Sequence, residues 1–94
     1  MESYIYIIHD GENNVKVGKS DNPKKRVKSL QTGHPKNLEV LKTFSVPKSK
    51  VFKIEKECHR KLNTSYEKRG EWFHSVILWD VEIIIESIVE EHIL

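Results

Sequence analysis

The sequence predicts an α+β domain: a small three-stranded antiparallel sheet flanked by helices, closed by an additional C-terminal helix. Three observations carry that expectation. Two runs rich in aromatic and β-branched residues, Tyr4-Ile5-Tyr6-Ile7-Ile8 and Val15-Lys16-Val17, flank the turn-forming run Asp10-Gly11-Glu12-Asn13-Asn14. Two later stretches space their apolar residues near the helical period, with capping residues, proline or glycine at their ends. A long apolar run interrupted by acids fills residues 76 to 94.

The first two runs read as a β-hairpin, ended by Gly18. Asp21 or Asn22 then offers a side-chain oxygen to cap a helix with Pro23 in its first turn and Val27 and Leu30 facing inward. Gly33 and Pro35 stop that helix. Residues 38 to 44 read as a third strand, since Leu38, Val40 and Leu41 point to burial on more than one side. From about Pro47 to Leu62 the residues Val51, Phe52, Ile54, Cys58 and Leu62 recur near a helical period, with Ser45 as a cap and Pro47 tolerated in the first turn. Glu55 and His59, four apart, share one face of this helix, where the bland alternative is a surface pair of no consequence. Gly70-Glu71-Trp72-Phe73-His74 is a short aromatic segment. The last run is expected to be a helix over about 76–92, with 77, 81, 84 and 88 on one stripe, although Ile83-Ile84-Ile85 would also suit a strand. Its apolar surface is wider than one core-facing stripe needs, so a homodimer through this helix is an expectation.

Ninety-four residues, 37% of them hydrophobic, are enough for one core, and residues 1–94 are read as a single domain. Cys58 stands alone and forms no internal disulfide, and no Cys/His spacing of zinc-ligand type is present. With no signal-like leader and no run of about 20 apolar residues, the expectation is a cytoplasmic protein without a membrane segment. The modest net charge of +2 conceals an asymmetry. All sixteen Lys and Arg lie in residues 1 to 69 against eight acids, a net +8, while residues 70 to 94 carry six acids and no Lys or Arg. A basic portion of that size suits a polyanion, since Lys and Arg that neutralise phosphates release condensed counterions. A merely solvated basic face is the competing reading.

Several motifs in order resemble the GIY-YIG nuclease superfamily, in its compact branch with a Lys-Ile/Val-Gly second motif. They are Tyr4-Ile5-Tyr6, Val15-Lys16-Val17-Gly18-Lys19-Ser20, Arg26 eight residues after Gly18, Leu30-Gln31-Thr32-Gly33-His34-Pro35, Glu55 with His59, and Gly70-Glu71-Trp72-Phe73. The resemblance covers residues 4 to 74. It departs from the wider pattern at Tyr4, which replaces a glycine, at Leu30, where many relatives carry histidine, and at Glu71, near where others carry asparagine.

The resemblance implies a metal-dependent endonuclease acting on DNA with Mg²⁺ (or Mn²⁺). Glu55 is then the metal ligand, and Arg26 clamps the phosphate with a fork that matches two oxygens. Tyr6 is the candidate general base, Lys16 its electrostatic partner or itself the base, and His59 a further catalytic residue. Tyr4, Lys19 and Glu71 are supporting candidates, and Lys19, Lys24, Lys25 and Arg26 are nucleic-acid contacts. Trp72 and Phe73 are expected to anchor the core, and His34 to be structural. A catalytically weak nucleic-acid-binding or regulatory module, and a dimeric interaction protein, are the alternatives. RNA is not excluded as the nucleic acid.

Overall fold

Residues 5 to 8 are apolar without alternation, which suits a strand covered on both faces. In the computed structural model, which describes residues 1–93, that run lies within β1 (Glu2–His9). It pairs antiparallel on one side with β2 (Val15–Ser20) and on the other with β3 (Glu39–Pro47). Ile5, Ile7, Val15, Val17, Phe44 and Val46 point to one face. Tyr6, Ile8 and Leu38 point to the other.

The loop between β1 and β2 is held by Asp10, whose carboxylate accepts from the Glu12 amide and the Asn14 side chain, both at 2.9 Å. Helix α1 (Pro23–Gln31) begins as its residues dictate. The Asn22 side chain accepts from the Lys25 amide and Pro23 occupies the first turn. Val27 and Leu30 pack on the Tyr6 face, and Gln31 ties down the exit by accepting from the Leu38 amide and donating to the Lys36 carbonyl, both at 2.7 Å. Helix α2 (Val51–Asn63) covers the opposite face with a stripe of Val51, Ile54, Cys58 and Leu62. Helix α3 (Leu78–Ile93) packs beside it through Val81, Ile85, Ile88 and Val89.

Strand β2 runs through Gly18 to Ser20 instead of ending at the glycine, and four further expectations need correction. The sheet has five strands among the described residues, in the order β3-β1-β2-β5-β4, with β4 (Glu67–Arg69) and β5 (Trp72–His74) forming a second hairpin. Gly70 and Glu71 make its two-residue turn, and Gly70 takes the positive φ of +60° that such a turn needs at its first central position. Second, β3 extends to Pro47, so Ser45 lies inside a strand rather than capping a helix. Phe44 and Val46 alternate inward, and a strand end tolerates the missing amide of Pro47. Third, α2 therefore starts at Val51, where Lys50 is the flanking residue and contributes no side-chain cap. Fourth, α3 is a helix but starts at Leu78 and buries 81, 85, 88 and 89. Ile77 precedes it and is exposed, and Ile84 is half-buried. Trp79 and Ile83, one turn apart, remain on its outer surface. No helix among the described residues is long and apolar enough to cross a membrane.

Side-chain contacts tie α3 to its neighbours. His92 meets Glu57 of α2 at 2.6 Å, Lys42 of β3 meets Glu86 at 3.7 Å, and the Tyr66 hydroxyl donates to Asp80 at 2.5 Å.

Candidate functional site

Pairing between β2 and β5 is a single register position among the described residues, Val15 opposite Phe73. Beyond it the edge of β2 parts from the second hairpin and opens a notch. The notch is a polar cleft of about 250 Å³ lined by Tyr6, Lys16, Val17, Gly18, Lys19, Arg26, Glu55, His59, Lys68 and Glu71. Seven of these were expected from sequence as site or supporting residues: Tyr6, Lys16, Lys19, Arg26, Glu55, His59 and Glu71. They come from β1, β2, α1, α2 and the β4–β5 turn.

Tyr6 is 2% exposed and directly opposite Gly18 in the β1–β2 register. A Cβ at Gly18 would fall well inside van der Waals contact of the Tyr6 hydroxyl and Cζ, so glycine is what lets the phenol cross the strand and reach the cleft. Lys16, on the same face, is buried, and its Nζ donates to Glu71 Oε2 at 2.6 Å. A buried ammonium needs a partner of this kind, and the β4–β5 turn supplies it.

The hydrogen bond from Lys16 holds the Glu71 carboxyl below its ordinary value, with Arg26 and Lys68 adding weaker attraction and partial burial opposing. A carboxyl depressed in the folded state stabilises above its unfolded value of about 4.5 and loses that contribution as pH falls through the lower, folded value. Wild type should therefore exceed Glu71→Gln in denaturant midpoint by a constant margin above about pH 5, and the margin should close only below about pH 4.5. A margin that closes above pH 6 instead, followed by chemical denaturation, would assign the effect to another group.

His59 bridges the notch. Its Nε2 lies 2.8 Å from the Val17 carbonyl and its Nδ1 lies 3.1 Å from Lys68 Nζ. A carbonyl only accepts and an ammonium only donates, so Nε2 carries the proton and Nδ1 takes the hydrogen bond. Both ring nitrogens are engaged, and the ring also rests 5.5 Å from that of Phe73. Glu55, half-buried one turn away, makes no ion pair or side-chain hydrogen bond among the described residues. It is the free carboxylate of the cleft.

Lys68 is the residue that sequence reasoning missed. It sits opposite Phe73 in the β4–β5 hairpin, with Nζ 5.5 Å from that ring. The one available signal was Gly70 as a turn two residues long. Tyr4 shares the Tyr6 face but lines a separate depression with Asp21, Pro23 and Lys24, and Lys25 borders another beside Arg26. Phe73 is buried in the core as expected, while Trp72 packs on the opposite face against the Tyr6 cluster and His34. The His34 Nδ1 accepts from the Lys36 amide at 3.2 Å, a structural role.

A cation fits this cleft as one held jointly with a substrate. No group of three or more His, Cys, Asp or Glu among the described residues could hold a metal ion alone. A hard cation such as Mg²⁺ is commonly bound through one or two carboxylates with water and substrate oxygens completing its shell, and Glu55 is available for that.

Fold and cleft together define a small α+β domain with a polar cleft in which four cationic side chains meet two carboxylates. The chain belongs to the T5orf172 domain family, whose model matches residues 3–90. Neither the curated proteins nor the solved structures contain a match to it.

Proposed function

We propose that the chain is a GIY-YIG-type endonuclease that hydrolyses phosphodiester bonds in DNA with Mg²⁺ (or Mn²⁺). The observation that carries this reading is the meeting of Tyr6, Lys16, Arg26 and Glu55, from four different elements, in one polar cleft. Membership of the T5orf172 family supports a nucleic-acid-related role.

Each side chain has a part. Arg26 binds the scissile phosphate, where its fixed charge and paired donors match two oxygens. Glu55 would hold the cation, which when bound supplies positive charge at the phosphoryl oxygens. Tyr6 acts in its phenolate form, taking one proton from the attacking water to become the neutral phenol. Lys16 serves it electrostatically rather than as a base, because its ammonium is committed to Glu71. Water's oxygen forms the new bond to phosphorus as the bond to the departing sugar oxygen breaks, and that oxygen keeps the electron pair and takes a proton from solvent. His59, with both nitrogens engaged, orients Lys68 toward the phosphate instead of handling the proton.

The test is cleavage of supercoiled plasmid, single-stranded and branched DNA, and RNA, with Mg²⁺, with Mn²⁺ and with a chelator. Cutting that appears with either cation and vanishes on chelation is the expected result. Salt-sensitive binding without cutting of any of them would point to a binding module on the same fold.

A further inference from the structure

Phe52 is 66% exposed on the first turn of α2. A lone exposed apolar residue calls for no explanation by itself, but its position does. Phe52, Glu55 and His59 stand at i, i+3 and i+7 and share one helix face. The ring therefore lies one turn from the free carboxylate of the cleft, about 4.5 Å along the helix axis at 1.5 Å per residue.

A second connection runs through Lys19. Its Nζ lies 5.9 Å from the Phe52 ring centroid, and Lys19 lines both the cleft and a shallow depression walled by Phe52, Val51, Ser20 and Lys48. The depression and the cleft share Lys19 as a common wall. The one carboxylate in that depression, Asp21, is engaged by Ser3 Oγ at 2.8 Å and by Lys48 Nζ at 2.6 Å. Lys19 forms no ion pair among the described residues and is left to meet an anion.

We infer that Phe52 is a stacking platform for one unpaired base beside the scissile phosphate, and that the substrate class is single-stranded or locally unpaired DNA. This rests on the reading of the cleft as a nuclease site. An aromatic face next to a lysine is how an unpaired strand is held, since every base offers a π-face and its backbone a charge. Duplex DNA presents no free face, because its bases stack on each other and extruding one has a free-energy cost. A protein partner is the other occupant to consider. Lysine is depleted at protein interfaces, whereas Lys19 and Lys48 wall the depression beside this ring.

Fluorescence anisotropy of labelled single-stranded and duplex DNA, with cations chelated so that nothing is cut, tests the inference on wild type, Phe52→Ala and Phe52→Tyr. The ring is exposed, so both variants keep the core. Phe52→Ala should weaken single-strand binding about tenfold and leave duplex binding unchanged, and Phe52→Tyr should restore it. Equal losses on both DNAs, no loss on the single strand, or no single-strand binding by wild type would overturn it. So would a fall in molar mass in Phe52→Ala with single-strand binding intact, which would assign the ring to a second copy. Cleavage of the same DNAs with Mg²⁺ is a separate arm. Ring-dependent binding without cleavage removes the nuclease reading and leaves the platform, while cleavage with ring-independent binding does the reverse.

Discussion

Replacing Glu55 with alanine is expected to lower the cleavage rate by roughly two to three orders of magnitude, the effect of removing one preorganised electrostatic partner from an active site. The structure makes this substitution a clean probe. Glu55 has no side-chain partner among the described residues, so its loss orphans nothing and the thermal midpoint should stay near that of wild type. Glu71 cannot substitute for it, being held by Lys16. Nucleic-acid binding measured with cations chelated should be equal or tighter, since the four cations of the cleft then face one carboxylate instead of two. Glu55→Gln, which keeps the shape and removes the charge, should lose as much activity as alanine. Products formed by Glu55→Ala at the wild-type rate would end the proposed role.

The second large effect comes from one methyl group. Gly18→Ala places a Cβ where the Tyr6 hydroxyl and ring end now lie, and Tyr6 is walled in on its other sides by Ile8, Leu38 and the residues packed around them. The ring must swing out, at a cost of about 1–3 kcal/mol for overpacking. A phenol displaced by about 1 Å from the attacking water should also cost on the order of a hundredfold in turnover. The cause can be isolated with Tyr6→Ala. In that background the added methyl meets no ring, so the stability penalty of Gly18→Ala should largely disappear in a double-mutant cycle. Additive penalties would mean that the glycine is required for the strand backbone instead.

Local chemistry made much of this fold readable. Asn22, Pro23 and Gly33 mark the ends of α1 through groups that act within a few residues, and the spacing of Val51, Ile54, Cys58 and Leu62 exposes the buried side of α2. The second hairpin was not readable by the same means. Glu67, Lys68 and Arg69 are all exposed and charged, so β4 carries no apolar alternation, and the three residues of β5 are too few to show a period. The start of α2 was misplaced because Ser45 and Pro47 are residues that also begin helices, and only the pairing of β3 with β1 decides their state. In the cleft, helical spacing put Glu55 and His59 side by side. What spacing could not reveal is that Lys16 is locked by a residue 55 positions away, or that His59 spends both nitrogens on Val17 and Lys68.

The parting of β2 from β5 has a bearing on how the protein behaves in a crowd. A sheet that stops pairing midway leaves main-chain donors and acceptors open to a strand from another molecule, the usual seed of edge-to-edge aggregation. Here the unpaired stretch of β2 leads to the exposed Lys19, and His59 already occupies the Val17 carbonyl, while the outermost strand of the sheet on that side is three charged residues long. A newcomer strand finds one acceptor taken and cations in its path. The notch proposed to admit a phosphate is therefore also built to turn away another copy of the sheet.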